Sequence, residues 1–167
     1  MKDKLIFLDI DGVLNSSTFI NDKVAQGTKD FIFLDTRAIN LLLDVIKETN
    51  AKVIITSTWR SYDYESTIEE FAQYEELKDL LPHIYGVTPT TMIHTRGQEI
   101  QYFMNYIRKR NFPAQFRCPI SSDYDYVIID DDTDFLDNQR EHLVHTNFEF
   151  GFTEADKQKV INILNNQ

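Results

Sequence analysis

Three stretches of the chain place acids or hydroxyls directly after a run of apolar residues. Leu5-Ile6-Phe7-Leu8 runs into Asp9-Ile10-Asp11-Gly12, Val53-Ile54-Ile55 into Thr56-Ser57-Thr58, and Val127-Ile128-Ile129 into Asp130-Asp131-Asp132. Carboxylates gathered in one crevice repel each other, so ionising all of them is costly unless a cation shares the site. Mg²⁺ suits such a cluster because it takes oxygen ligands octahedrally, and two carboxylates, a backbone carbonyl and a substrate phosphate can all serve it. On an extended chain Asp9 and Asp11 point the same way and Ile10 points away, so the carbonyl of Ile10 or of Asp11 can turn toward the ion. One aspartate pair after a strand is also a common turn and helix cap. Three polar strand ends together point to chemistry.

For those ends to meet, the apolar runs must be neighbouring strands. Leu5–Leu8, Lys52–Ile55, His83–Val87, Tyr126–Ile129 and His142–Thr146 read as short strands, the first two buried on both faces. Helical spacing fills the intervals. Asp35 is the expected N-cap of a helix through Ile39, Leu42, Leu43 and Ile46 that ends near Asn50. Ser66 and Glu69 form a capping-box pair for a helix through Phe71 and Leu77, stopped by Pro82, and Thr95 with Gln98 repeats the spacing ahead of Ile100, Phe103, Met104 and Ile107. Thr153 caps a final helix carrying Val160, Ile161 and Leu164. Residues 12–34 mix small polar residues with isolated aromatics and read as a loop with a possible hairpin, Phe31–Leu34 being a small strand or a loop clamp. Strands alternating with helices predict an α/β fold: a three-layer, Rossmann-like parallel sheet of about five strands, helices on both faces, in a single domain over residues 1–167. Ligands of such sheets bind beyond the carboxyl ends of the strands, near the place where strand order reverses.

Composition narrows the function classes. The chain has 167 residues, 42% apolar, with 12 Phe and 8 Tyr, enough large side chain for a core without disulfides or a structural metal. The single cysteine, Cys118, excludes an internal disulfide and any multi-thiolate zinc site. A balance of 27 acids to 17 bases, net −10, repels polyanions and argues against an extended nucleic-acid groove or an anionic membrane partner. No run of about 18 apolar residues offers a membrane span. The apolar run after Lys4 is too short for a signal-peptide core, so a cytoplasmic location is expected.

The run Leu5-Ile6-Phe7-Leu8-Asp9-Ile10-Asp11-Gly12-Val13-Leu14 resembles the first motif of the haloacid dehalogenase (HAD) superfamily, an apolar strand followed by Asp-x-Asp-Gly. Val53-Ile54-Ile55-Thr56-Ser57 is similar to its second motif, Arg96 before a helix to its third, and Ile128-Ile129-Asp130-Asp131 to its fourth. Thr58-Trp59-Arg60 together with Arg96-Gly97-Gln98-Glu99-Ile100 resembles a small subgroup found beside RNA-repair domains. The resemblance implies a Mg²⁺-dependent phosphomonoester hydrolase with little or no cap over its site. In it Asp9 would attack phosphorus to give an aspartyl-phosphate, and Asp11 would protonate the leaving alcohol and then deprotonate water. Thr56 would hydrogen-bond a phosphoryl oxygen, with Ser57 a competing candidate, and Arg96 would hold nucleophile and phosphate together. Asp9, Asp11 and Asp130 would hold the metal, with Asp131 a direct or water-mediated ligand. Gly12, Ser57 and Arg60 are candidate substrate contacts, although an ordinary surface ion pair suits Arg60 equally. Arg96 stands where Lys is commoner, and Lys78 and Lys109 are the fallback candidates. The expected substrate is a nucleotide, a nucleic-acid end or another phosphomonoester.

Several residues have plainer readings. Asp132 and Asp134 are expected to cap and solvate the following turn, Thr58 to act as a cap, and Trp59 to be core or pocket wall. Arg108-Lys109-Arg110 complements a helix C-terminus. His142 and His145 share no metal-ligand pattern. The alternatives at the level of function are a phospho-accepting receiver module or a non-catalytic phosphate-binding module. A receiver carries its acceptor aspartate after the third strand, where this chain has Thr88-Pro89, and the intact Asp9 and Asp11 argue against a non-catalytic module.

Overall fold

In the computed structural model, which describes residues 2–28, 33–90, 94–109, 117 and 120–165, the apolar runs form five strands: β1 (Asp3–Leu8), β2 (Lys52–Ile55), β3 (Ile84–Val87), β4 (Tyr124–Asp130) and β5 (Leu143–His145). Every pairing is parallel, and the order across the sheet is β3-β2-β1-β4-β5. Strand order therefore reverses at β1. The chain moves outward through β2 and β3, then crosses back to lay β4 and β5 on the other side. Register completes the arrangement: Leu8 lies beside both Ile55 and Ile129, so Asp9, Thr56 and Asp130 stand abreast at the carboxyl edge.

Alternation along the strands divides the core in two. Ile6, Leu8, Val53, Ile55, Val127 and Ile129 pack with α2 (Thr36–Thr49) and α5 (Glu154–Asn165), while Leu5, Phe7, Ile54 and Ile128 pack with α4 (Arg96–Lys109). Phe7 meets Phe103 of α4 edge to face, ring centroids 5.7 Å apart, a favoured geometry for two aromatic quadrupoles. Both faces of the sheet are covered, so the middle of β1, β2 and β4 is a continuous apolar run rather than an alternation with polar residues. The layered α/β architecture expected from the sequence is present.

Boundaries differ where polarity hides a strand or a helix. β1 and β4 each begin two residues before the apolar runs, at Asp3 and Tyr124. Asp3 pairs with Lys52 at 2.8 Å and Lys4 bonds Asn165 at 2.7 Å, so polar residues complete the strands at the amino edge. The loop expected over residues 12–34 contains instead α1 (Ser17–Ala25), with Ser16 as N-cap accepting the Phe19 amide. None of its residues is buried, which is why no apolar stripe announced it. Phe33 and Leu34 lie in no strand, and Phe31, Ile32, Arg110 and Cys118 fall outside the described residues. The helix expected from Ser66 to Pro82 is α3 (Tyr64–Phe71), and its N-cap is Asp63, whose carboxylate accepts the Ser66 amide at 2.8 Å. Leu77 is buried as expected, but on a separate 3₁₀ turn, Glu75–Leu77. Asp35 and Asn50 bound α2 as anticipated, Asn50 in the left-handed conformation at φ 55° that ends many helices.

Candidate active site

Because Leu5, Phe7, Ile54 and Ile128 face α4, continued alternation turns Asp9, Thr56 and Asp130 toward the N-terminus of that helix, where Arg96 sits. Arg96 reaches both acids: Nη2 lies 3.8 Å from Asp9 Oδ1 and Nε 3.7 Å from Asp130 Oδ2. The loop after β4 fixes the start of the helix. Asp134 accepts the Arg96 amide at 3.1 Å, and the buried Gln139 donates to the Gly97 carbonyl at 2.9 Å. A Cβ on Gly97 would stand 2.7 Å from the Leu136 amide nitrogen, so only glycine admits this approach. Asp134, expected to serve its own turn, is thus a support for α4.

Burial sets the electrostatics. Asp9 is pushed above the usual carboxylate range by desolvation, against the pull of the Arg96 guanidinium, the Ile10 amide and the Ser57 hydroxyl. Burial, and then the charge of Asp9, push Asp130 up to about 7, and the same two causes raise Asp131. Asp9, Asp130 and Asp131 each offer an oxygen, all within 4.8 Å of one another. Asp130 Oδ2 is buried without a hydrogen-bond partner, as are Arg96 Nη1 and Thr56 Oγ1. Unpartnered buried polar atoms are costly and uncommon, and three meet around one row of residues. An all-oxygen donor set with surplus negative charge fits a hard divalent cation. The Ile10 carbonyl already accepts the Val13 and Leu14 amides at 3.2 and 2.8 Å, which leaves the Asp11 carbonyl as the backbone candidate.

The Asp11 side chain is held apart from that trio. Asn15 Nδ2 donates to one oxygen at 2.8 Å and Trp59 Nε1 to the other at 2.9 Å. Asn15 also accepts the Gly12 amide at 2.9 Å, closing the turn. Sequence reasoning passed over Asn15 altogether and took Trp59 for core or wall. The only signal was a Trp three residues past Thr56 and an Asn four past Asp11, both side-chain donors near strand ends.

Gly12 has its amide committed to Asn15 and its carbonyl to Thr146 Oγ1 at 2.9 Å. At φ 67°, with Asp131 Cγ 2.3 Å from where a Cβ would stand, it is the residue that lets Asp131 approach. Arg60 is not the surface ion pair considered for it. Its side chain is 2% exposed, it donates to the Thr56, Ser57 and Thr88 carbonyls, and it pairs with Glu99 Oε2 at 2.6 Å. Desolvation lowers its pKa, partly offset by Glu99. Ser57 Oγ accepts the Trp59 amide at 3.3 Å, so of the two competing hydroxyls Thr56 has the one without a partner. Thr58 and Asp132 are exposed, Asp132 giving its amide to Asp130 Oδ1 at 2.9 Å. Lys78 pairs with Glu75 on the surface, His142 stacks on Tyr126 at 4.0 Å, and His145 Nε2 meets the Asp131 carbonyl at 2.8 Å.

Residues 5–157 match the family model described as the HAD domain in Swiss Army Knife RNA repair proteins. The chain belongs to that family. No curated protein and no solved structure matches it. Membership in a HAD family is in keeping with a phosphatase-type hydrolase. No helix among the described residues is long and apolar enough to cross a membrane.

Proposed function

We propose that this HAD domain is a Mg²⁺-dependent phosphomonoesterase working through an aspartyl-phosphate, on a nucleotide or a nucleic-acid end. The observation that carries the reading is that Asp9 and the unpartnered Thr56 hydroxyl stand abreast at the carboxyl edge with the half-engaged Arg96 guanidinium 3.8 Å from Asp9, each suited to one atom of a phosphoryl group. Asp9 attacks phosphorus while the bond to the leaving oxygen breaks, and Asp11 gives that oxygen its proton. Asp11 then takes a proton from water as the water attacks phosphorus and releases Asp9. Thr56 and Arg96 hold the equatorial oxygens, where positioned charge does most of the catalytic work in phosphoryl transfer. Asp9 and Asp130, with Asp131 and the Asp11 main chain, would hold Mg²⁺, which when bound supplies neutralisation of anionic oxygen charge. The nucleic-acid side of the proposal rests on the RNA-repair description of the family.

The test is phosphate release from a panel of phosphomonoesters with Mg²⁺ and after exhaustive chelation, together with trapping of an acid-stable, hydroxylamine-sensitive phosphoenzyme. Activity that needs Mg²⁺, and labelling lost in Asp9→Asn, are expected. Normal labelling of that variant moves the nucleophile elsewhere, full activity without metal removes the cation, and no turnover of any phosphomonoester returns the protein to the phosphate-binding alternative.

A further inference from the structure

A cavity of about 280 Å³ opens at the carboxyl edge, between the N-terminal turn of α4 and the loops after β2, β3 and β4. It shares residues with the acidic row. Arg96, which lines it, reaches Asp9 at 3.8 Å and Asp130 at 3.7 Å. Asp132, also in its wall, gives its amide to Asp130 Oδ1 at 2.9 Å, and Arg60, another lining residue, donates to the Thr56 carbonyl. Resting on the phosphomonoesterase reading, we infer that this cavity receives the sugar of the substrate, a sugar hydroxyl donating to the Asp132 carboxylate, and that the base stays outside it.

Position supports this. The cavity lies on the α4 side of the sheet, the side to which alternation turns Asp9, Thr56 and Asp130. A phosphate that Arg96 holds against Asp9 already touches the cavity wall. Asp11, the proton donor to the leaving oxygen in the proposed mechanism, is bonded at 2.9 Å by Trp59, whose chain neighbours Thr58 and Arg60 both line the cavity. The carbon skeleton attached to that oxygen thus has this space beside it.

The chemistry agrees. Each described side chain in the wall is polar or charged, whereas most small-molecule sites are lined mainly by apolar and aromatic groups. Arg60 and Glu99 satisfy each other at 2.6 Å, and Asp134 holds the Arg96 amide at 3.1 Å. Among the described residues, no hydrogen bond or ion pair engages the Thr58 or Thr90 hydroxyl or the Asp132 carboxylate, so these lining groups are open to a ligand. With Arg60 offset by Glu99, and Arg96 by Asp9 and Asp130, Asp132 and Asp134 leave the cavity negative. That disfavours a second phosphate and favours neutral groups that donate hydrogen bonds to carboxylates. A sugar carries several hydroxyls, each a donor and an acceptor. A base would find no aromatic platform in the described wall beyond the His94 ring, which already lies against Tyr102, centroids 4.9 Å apart. Size points the same way, since the volume falls just below the roughly 300 Å³ at which small-molecule sites begin and suits one sugar ring rather than a whole nucleoside.

The experiment measures kcat and KM with Mg²⁺ for three substrates in the wild type, Asp132→Ala and Asp132→Asn. They are ribose 5-phosphate, tetrahydrofurfuryl phosphate, which keeps a five-membered ring without the hydroxyls, and a nucleoside 5′-monophosphate. Direct titration of the two ring phosphates into the Asp9→Asn variant, with and without Asp132→Ala, is read by calorimetry. Asp132 is exposed and serves Asp130 through its amide alone, so its replacement leaves the fold in place. In the wild type the KM of tetrahydrofurfuryl phosphate should exceed that of ribose 5-phosphate about 10-fold, the lower end for a hydrogen bond to a charged group, as suits an exposed carboxylate. Asp132→Ala should bring that ratio close to one, and Asp132→Asn, which keeps an acceptor oxygen, should retain part of it. The nucleotide should resemble ribose 5-phosphate throughout. Because the ratio compares two phosphates of equal charge, it cancels any general effect of removing an acid near the site. Equal KM values for the two ring phosphates, a ratio unmoved by Asp132→Ala, or a nucleotide KM far below that of ribose 5-phosphate overturns the inference while phosphatase activity stands. Calorimetric binding that needs both the hydroxyls and Asp132, without turnover of any substrate, keeps the cavity and overturns the phosphatase reading. Neither turnover nor such binding overturns both.

Discussion

Asp11 shows how far a residue's task depends on its neighbours. Its two oxygens are each taken by one donor, Asn15 and Trp59, which fixes the plane of the carboxyl group while leaving each oxygen a further lone pair. Asp11→Asn should therefore slow turnover by roughly 10²–10⁴-fold, and least for aryl phosphates, whose leaving groups need little protonation. Equal losses for aryl and alkyl phosphates would contradict the acid role. Trp59→Phe keeps the ring and removes one donor, so it should lower kcat on alkyl phosphates more than on aryl phosphates, with KM little changed; a uniform loss would mean that Trp59 only fills space. At this scale the sequence was legible for acids and hydroxyls placed directly after apolar runs. It was silent on partners brought in from 48 residues away, because nothing local in Trp59 encodes that its indole meets Asp11.

Elements carry the site through braces invisible in their own patterns. Arg60 ties the carboxyl ends of β2 and β3 to α4, through the Thr56, Ser57 and Thr88 carbonyls and Glu99. The pair is buried, with side chains 2% and 8% exposed, so removing one partner strands the other in a poorly solvated place. Glu99→Ala should cost about 3–5 kcal/mol in denaturant unfolding, against 0–1 kcal/mol for a surface pair such as Lys78–Glu75. A loss under 1 kcal/mol would show that water reaches Arg60. Capping boxes and apolar spacing located α2, α4 and α5 because those helices bury a face. They missed α1, which buries none, and overextended α3, because the apolar spacing runs on into a 3₁₀ turn whose Leu77 is equally buried. Pattern reports burial, and only indirectly the helix that delivers it.

The whole molecule sets a surplus of negative charge against the anionic substrate proposed for it. In the metal-free protein Asp130 is raised to about 7, so the folded state holds its proton more tightly than the unfolded chain, whose value is near 3.8. Stability should therefore fall as pH rises from about 4 to about 7 and stay lowered above that, the reverse of an ion-paired carboxylate. Added Mg²⁺ should raise Tm more at pH 8 than at pH 5, with Ca²⁺ a useful comparison; an equal gain at both would mean that the cation binds elsewhere.

A net charge of −10 also limits how a polyanion is held. The cations available to offset it near the site shrink on inspection of the fold. Arg60 is buried against Glu99, and Arg108 and Lys109 close the last turn of a 14-residue helix that begins at Arg96, about 20 Å away at 1.5 Å per residue. Arg96 remains at the phosphoryl site, with Arg37 and Lys23 beside Phe19 on the α1 side. Three cations, of which Arg37 is already paired with Asp35 and Arg96 with Asp9 and Asp130, make few phosphate contacts. With a log-log salt slope of about −0.7 per contact for single strands, KM for a 5′-phosphorylated oligonucleotide should vary with salt with a slope of magnitude about 2 or less. Lengthening the strand beyond a few nucleotides should then add little affinity, since so few cations can meet further phosphates. A slope of about 4 or more, or affinity that keeps rising with length, would require a basic surface that the described residues do not form, and the polymer rather than its end would be what this domain reads.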